Sequence, residues 1–68
     1  MKHECHVIES PDGDWMIKTS RNGAGRRFGT QRDAVVAARE ALRNTGGGEL
    51  IVHGRDGRIR DRDTVFSS

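Results

Sequence analysis

Residues 47–63 read GGELIVHGRDGRIRDRD, and this stretch decides the fold. Leu50-Ile51-Val52 is a short apolar, β-branched run of the kind that forms a buried strand. Gly54-Arg55-Asp56-Gly57 is a turn signal, because glycine accepts positive φ and aspartate bonds back to its own backbone. The alternating arginines and aspartates that follow read as a charged strand leaving that turn. Together they predict a hairpin: a fourth strand over Glu49–His53, a turn at Arg55-Asp56-Gly57, and a fifth strand over Arg58–Arg60 with Ile59 pointing inward.

Working back from this hairpin, Gly46-Gly47-Gly48 ends a helix. Thr30 is a good N-cap residue, and Asp33 stands three residues on, near the positive end of the helix dipole. The helix is predicted from Gln31 to about Asn44, stopping at Gly46. At 100° per residue, Ala34, Val35, Ala38, Ala41 and Leu42 share one face with Ala37 at its border, and the alanines allow close approach to a sheet. Arg32, Val36, Arg39 and Arg43 lie opposite, and Glu40 and Arg43 are spaced for a surface ion pair.

Further upstream, Glu4–Glu9 reads as a first strand ending at Ser10-Pro11-Asp12-Gly13. Proline presets φ there and glycine completes the turn. Asp14–Ser20 alternates, with Trp15, Ile17 and Thr19 on one face and Met16 and Lys18 on the other. The Trp15 face is the one expected beneath the helix. Residues 21–25, with Asn22-Gly23 as the turn, lead to a short third strand at Arg26–Gly29 anchored by Phe28. The order β-β-β-α-β-β defines an α+β fold, a small antiparallel sheet of four to five strands with one helix on one face.

The chain of 68 residues is one domain, 1–68, ordered over about 4–66 with Ser67 and Ser68 fraying. A chain of this size buries only roughly 60% of its unfolded surface, so its core is small. The apolar fraction is 32%, with two Phe and one Trp as the only aromatics. One cysteine excludes an internal disulfide. The start of the chain carries no signal-peptide pattern and no stretch is long enough to span a membrane, so the expectation is a soluble cytoplasmic protein.

His6-Val7-Ile8, Pro11-Asp12-Gly13 with Trp15, the capped Ala-rich helix and Glu49–Arg60 together resemble the small bacterial proteins of the domain of unknown function 2188 family. His53-Gly54-Arg55-Asp56-Gly57-Arg58-Ile59 is the most specific part of the resemblance. Asp14 stands where such members usually have Gly. The resemblance implies a compact one-helix α+β fold and carries no catalytic residues.

Twelve basic and ten acidic residues leave a net charge of +2, and ten of the twelve cations are arginine. Arg26, Arg27, Arg55, Arg58 and Arg60 are the candidate contact residues for nucleic acid or another partner, with Arg21 and Arg62 nearby. Arginine suits phosphate contacts. Interleaved Asp56, Asp61 and Asp63 favour ion pairing over binding. No catalytic set is expected: the glycines at 46–48 are followed by no Lys-Ser/Thr, and Cys5 has no paired base. His3, Cys5 and His6 are metal-ligand types without the paired spacing of a zinc site, so no metal and no cofactor is expected. His53 reads as structural, hydrogen-bonded near the Gly54 turn. One helix covers one sheet face only, which leaves Ile51, Met16 and Ile8 or Val7 in need of cover. The expected role is a non-enzymatic interaction module forming a homodimer through the open sheet face or an edge strand, with weak nucleic-acid binding through the arginine-rich hairpin as the alternative.

Overall fold

The computed structural model describes residues 3–19 and 23–67. Its elements are β1 (His3–Glu9), β2 (Trp15–Thr19), β3 (Gly23–Phe28), α1 (Gln31–Asn44), β4 (Gly47–His53) and β5 (Ile59–Phe66). The sheet runs β3-β2-β1-β4-β5, with α1 on one face. The α+β class and single helix follow the sequence expectation. The expected wholly antiparallel sheet does not hold: β1 pairs parallel with β4, and the other three pairings are antiparallel. The reason is connectivity. A helix between β3 and β4 carries the chain back along the sheet, so β4 starts at the same end as β3 and β1.

The helix begins and ends as its sequence dictates. Thr30 sits in extended backbone, and its side chain accepts a hydrogen bond from the Asp33 amide at 3.1 Å. At the other end the Thr45 hydroxyl donates to the Ala41 carbonyl at 2.9 Å, and Gly46 turns with φ +96°. Ala34, Ala38 and Leu42 are buried, Val35 and Ala37 pack partly, and Ala41, expected on the inner face, is exposed. Three near-straight buried positions form a narrower stripe than the sequence pattern suggests.

That stripe rests on Cys5 and Val7 of β1, Trp15 and Ile17 of β2, Leu50 and Val52 of β4 and Val65 of β5. Val7 therefore faces the helix, which leaves Ile8 on the open side. β1, β3, β4 and β5 extend beyond their expected limits, whereas β2 spans Trp15–Thr19, inside the expected Asp14–Ser20. The fifth is the largest departure, running to Phe66 instead of stopping at Arg60. A register shift between Val52 and His53 puts Ile59 opposite His53, so Ile59 is 54% exposed and not the inward anchor expected. The expected Asn22-Gly23 turn and the frayed Ser68 involve residues outside the described set.

Gly48 leaves the least room for a side chain among the described glycines. A Cβ there would stand 2.2 Å from the His3 carbonyl oxygen and 3.0 Å from Leu42 Cδ2. Backbone cannot yield as a flexible side-chain end can, so Gly48→Ala must part β1 from β4 or lift α1. We predict a loss of about 3 kcal/mol, seen as a fall in Tm of more than about 10 °C. Gly29→Ala is the control, because nothing lies within 4 Å of its Cβ position; its Tm should stay close to that of the parent chain.

Candidate functional site

The five candidate arginines do not form one surface. Arg27 donates to the Asp12 carboxylate at 2.9 Å, beside the first turn. Arg26 lies over the Phe28 ring, 5.2 Å from its centroid. Arg55 bonds the Glu9 carboxylate and lies 5.4 Å from the centroid of the Trp15 ring. Arg60 donates to Gln31 Oε1 at 2.9 Å. Arg58 is the loosest: its side chain is 90% exposed and its nearest acid, Asp56, is 4.0 Å away. Arg21 lies outside the described residues.

Two of the five do converge. Arg55 and Arg60 line a shallow hollow of about 360 Å³ with Trp15, Gly29, Thr30 and Gln31, beside the start of α1. The bulge in β5 aims Arg60 toward the helix side, where Gln31 meets it. Asp63, on the same side, binds Arg39 of α1 at 2.9 Å. Arg39 was expected to point away from the sheet, but its long stem reaches over the β5 edge. These exposed pairs are each worth at most about 1 kcal/mol.

The opposite face of the sheet brings together two histidines from different strands. His6 on β1 and His53 on β4 stack with ring centroids 5.3 Å apart, and His6 Nδ1 lies 3.0 Å from His53 Nε2. His53 Nδ1 is 3.2 Å from the Gly57 carbonyl, the structural bond expected near the turn. A carbonyl only accepts, so His53 donates from Nδ1, and a single proton shared between His53 Nε2 and His6 Nδ1 joins the two rings. Glu4 Oε1 stands 3.4 Å from His6 Nε2 and completes the row. Only parallel pairing of β1 and β4 brings these rings together, and that pairing was not legible from spacing. Ile51, flanked by His6 and Arg62 in the register, is buried on this face at 4% exposure.

Cys5 and His6 point to opposite faces as neighbours on a strand must. Among the described residues, no group of three or more His, Cys, Asp or Glu side chains is placed to hold a metal ion. Cys5 is fully buried, and that burial pushes its thiol up from the ordinary 9.0 to about 11. It keeps its proton at neutral pH.

At the far edge of the sheet, β5 pairs with β4 on one side and, among the described residues, has no strand on the other. Its outer end holds Phe66, 80% exposed. Among the described residues, no helix is long and apolar enough to cross a membrane.

A one-helix α+β domain with an uncovered sheet face, an open edge and paired surface charges defines a small scaffold. The chain belongs to the DUF2188 family, described as an uncharacterized protein conserved in bacteria, whose model matches residues 5–65. Neither the curated proteins nor the solved structures contain a match.

The raised Cys5 thiol has a signed consequence. Between pH 9 and 11 the unfolded thiol ionises while the folded one keeps its proton, so the folded state binds more protons there. Stability contributed by Cys5 is complete below about pH 9 and falls as pH rises toward 11, by about 1.4 kcal/mol per unit. Denaturant titrations across this range should show that slope in the parent chain and lose it in Cys5→Ala. Equal slopes would mean that the thiol is not the group responsible.

Proposed function

We propose that this protein is a non-enzymatic interaction module that associates with a second copy of itself through the uncovered side of its sheet. The observation that carries this is the state of β5, an edge strand of eight residues that, among the described residues, pairs on one side only, with Phe66 exposed at its end. Such an edge presents free backbone donors and acceptors and is a template for another strand. Ile8, Met16 and Ile59 on the open face extend the same uncovered side. A core this small gains from burying more apolar surface than one chain can supply. The non-enzymatic part rests on the burial of Cys5, the one thiol in the chain.

Nucleic-acid contact through Arg26, Arg27, Arg55, Arg58 and Arg60 has narrower support, in the convergence of Arg55 and Arg60 beside the start of α1. Asp12, Glu9, Gln31 and the Phe28 ring already engage four of the five. Release of those partners opposes binding.

Mass in solution, followed by light scattering over a dilution series, tests the first reading. The expected result is a shift from twice 7.6 kDa toward 7.6 kDa on dilution; the monomer mass at every concentration would refute it. Fluorescence anisotropy with labelled duplex DNA and RNA tests the second. If the arginines bind phosphate, affinity falls steeply with salt and weakens in Arg58→Ala and Arg60→Ala. No anisotropy change at low salt would remove that reading.

A further inference from the structure

The edge of β5 specifies how a second copy would pair with it. Gly54 N–H donates to the Arg58 carbonyl at 2.8 Å across the hairpin, which sets even-numbered residues of β4 toward β5. Their partners are Asp61, Asp63 and Val65, opposite Val52, Leu50 and Gly48. The intervening residues Arg62, Thr64 and Phe66 therefore direct their backbone groups outward. Consistently, the Arg62 amide donates to the carboxylate of Asp61 at 2.9 Å. The side chains of Arg62, Thr64 and Phe66 lie on the open face, because they stand opposite Ile51, Glu49 and Gly47.

Two copies joined edge to edge as antiparallel strands are related by a two-fold axis normal to the sheet, which brings like faces together. Residues directly opposite then share a face, so their numbers share a parity. Centring the axis on Arg62 sets two guanidinium groups against each other, and centring it on Asp63 sets two carboxylates together. Both are disfavoured. Centring it on Val65 leaves Arg62 opposite no residue of the partner's β5, which ends at Phe66. Centring it on Thr64 uses every outward position: Thr64 meets the partner's Thr64, and Arg62 meets the partner's Phe66. The last pairing places a cation beside an aromatic ring and covers the most exposed large apolar side chain among the described residues.

We propose that the homodimer forms by antiparallel pairing of β5 with β5 about Thr64, joining two five-stranded sheets into one. This rests on the self-association reading above and adds its edge, its register and its contacts. Asp61 competes with it, since its carboxylate must leave the Arg62 amide before the partner's Phe66 carbonyl can accept from that amide.

Cysteine cross-linking reads the register directly. Thr64→Cys should form a disulfide-linked dimer on mild oxidation, because hydrogen-bonded opposite residues lie about 5.5 Å apart at Cα, within disulfide reach. Arg62→Cys mixed with Phe66→Cys should form the mixed dimer. Arg62→Cys alone should not, since its two copies stand about 13 Å apart along the strands. Buried Cys5 is the internal blank, and the parent chain should stay unlinked. All three positions are exposed, and circular dichroism on each variant checks that the fold is kept. A parent chain that is dimeric by mass, with no Thr64→Cys dimer or no preference for the mixed pair, overturns the register and leaves self-association standing. A parent chain that is monomeric at every concentration overturns both.

Discussion

The structure depends on the seating of α1 over the parallel pair β1 and β4. Ala34 and Ala38 carry almost no side chain, so the helix comes close enough for Leu42 to meet the backbone at Gly48 and for Cys5, Val7 and Leu50 to be sealed from water. Close packing of this kind supplies the dispersion and burial that a small chain has little of elsewhere. It also fixes what is left over. Among the described residues, the one helix lies on one sheet face, and the edge strands β3 and β5 each pair on one side only.

The surface charges follow from the same economy. Arg55, Arg60 and Arg39 fasten the rim of the core to Glu9, Gln31 and Asp63, and Arg55 also lies against the Trp15 ring. An arginine stem laid on apolar surface with its head paired extends a core that has few large side chains. The Arg-Asp alternation of β5 has a further effect: it penalises self-pairing about Arg62 or Asp63 and leaves the end of the strand, where the charges stop, as the permissive part. Charge thus narrows the ways in which the edge can pair.

Local signals were well legible in the sequence. Thr30 with Asp33, and Gly46 after the helix, give the observed limits of α1 because capping is decided by a few adjacent residues. The division of β4 into Leu50 and Val52 on one side and Ile51 on the other follows from strand alternation alone. Long-range features were not legible. Nothing in the spacing says that β4 returns beside β1, so the parallel pairing and the His6–His53 contact it creates stay hidden. Ile59 was misplaced because a bulge changes parity without leaving a mark in residue type. Of the candidate arginines, the sequence identified the interleaved acids as competitors but not the partners found: Glu9 for Arg55 lies 46 residues away, and Gln31 for Arg60 lies 29 away.

The central claim is that one-sided burial leaves β5 as a working edge, with alternate residues committed inward and outward. Amide hydrogen exchange read residue by residue along β5 tests it most directly, at dilute and concentrated protein. The account predicts that the Asp61, Asp63 and Val65 amides are protected at both concentrations, while those of Arg62, Thr64 and Phe66 exchange quickly when dilute and slow with concentration. Uniform protection along the strand when dilute, or no slowing at 62, 64 and 66 on concentration, would contradict it.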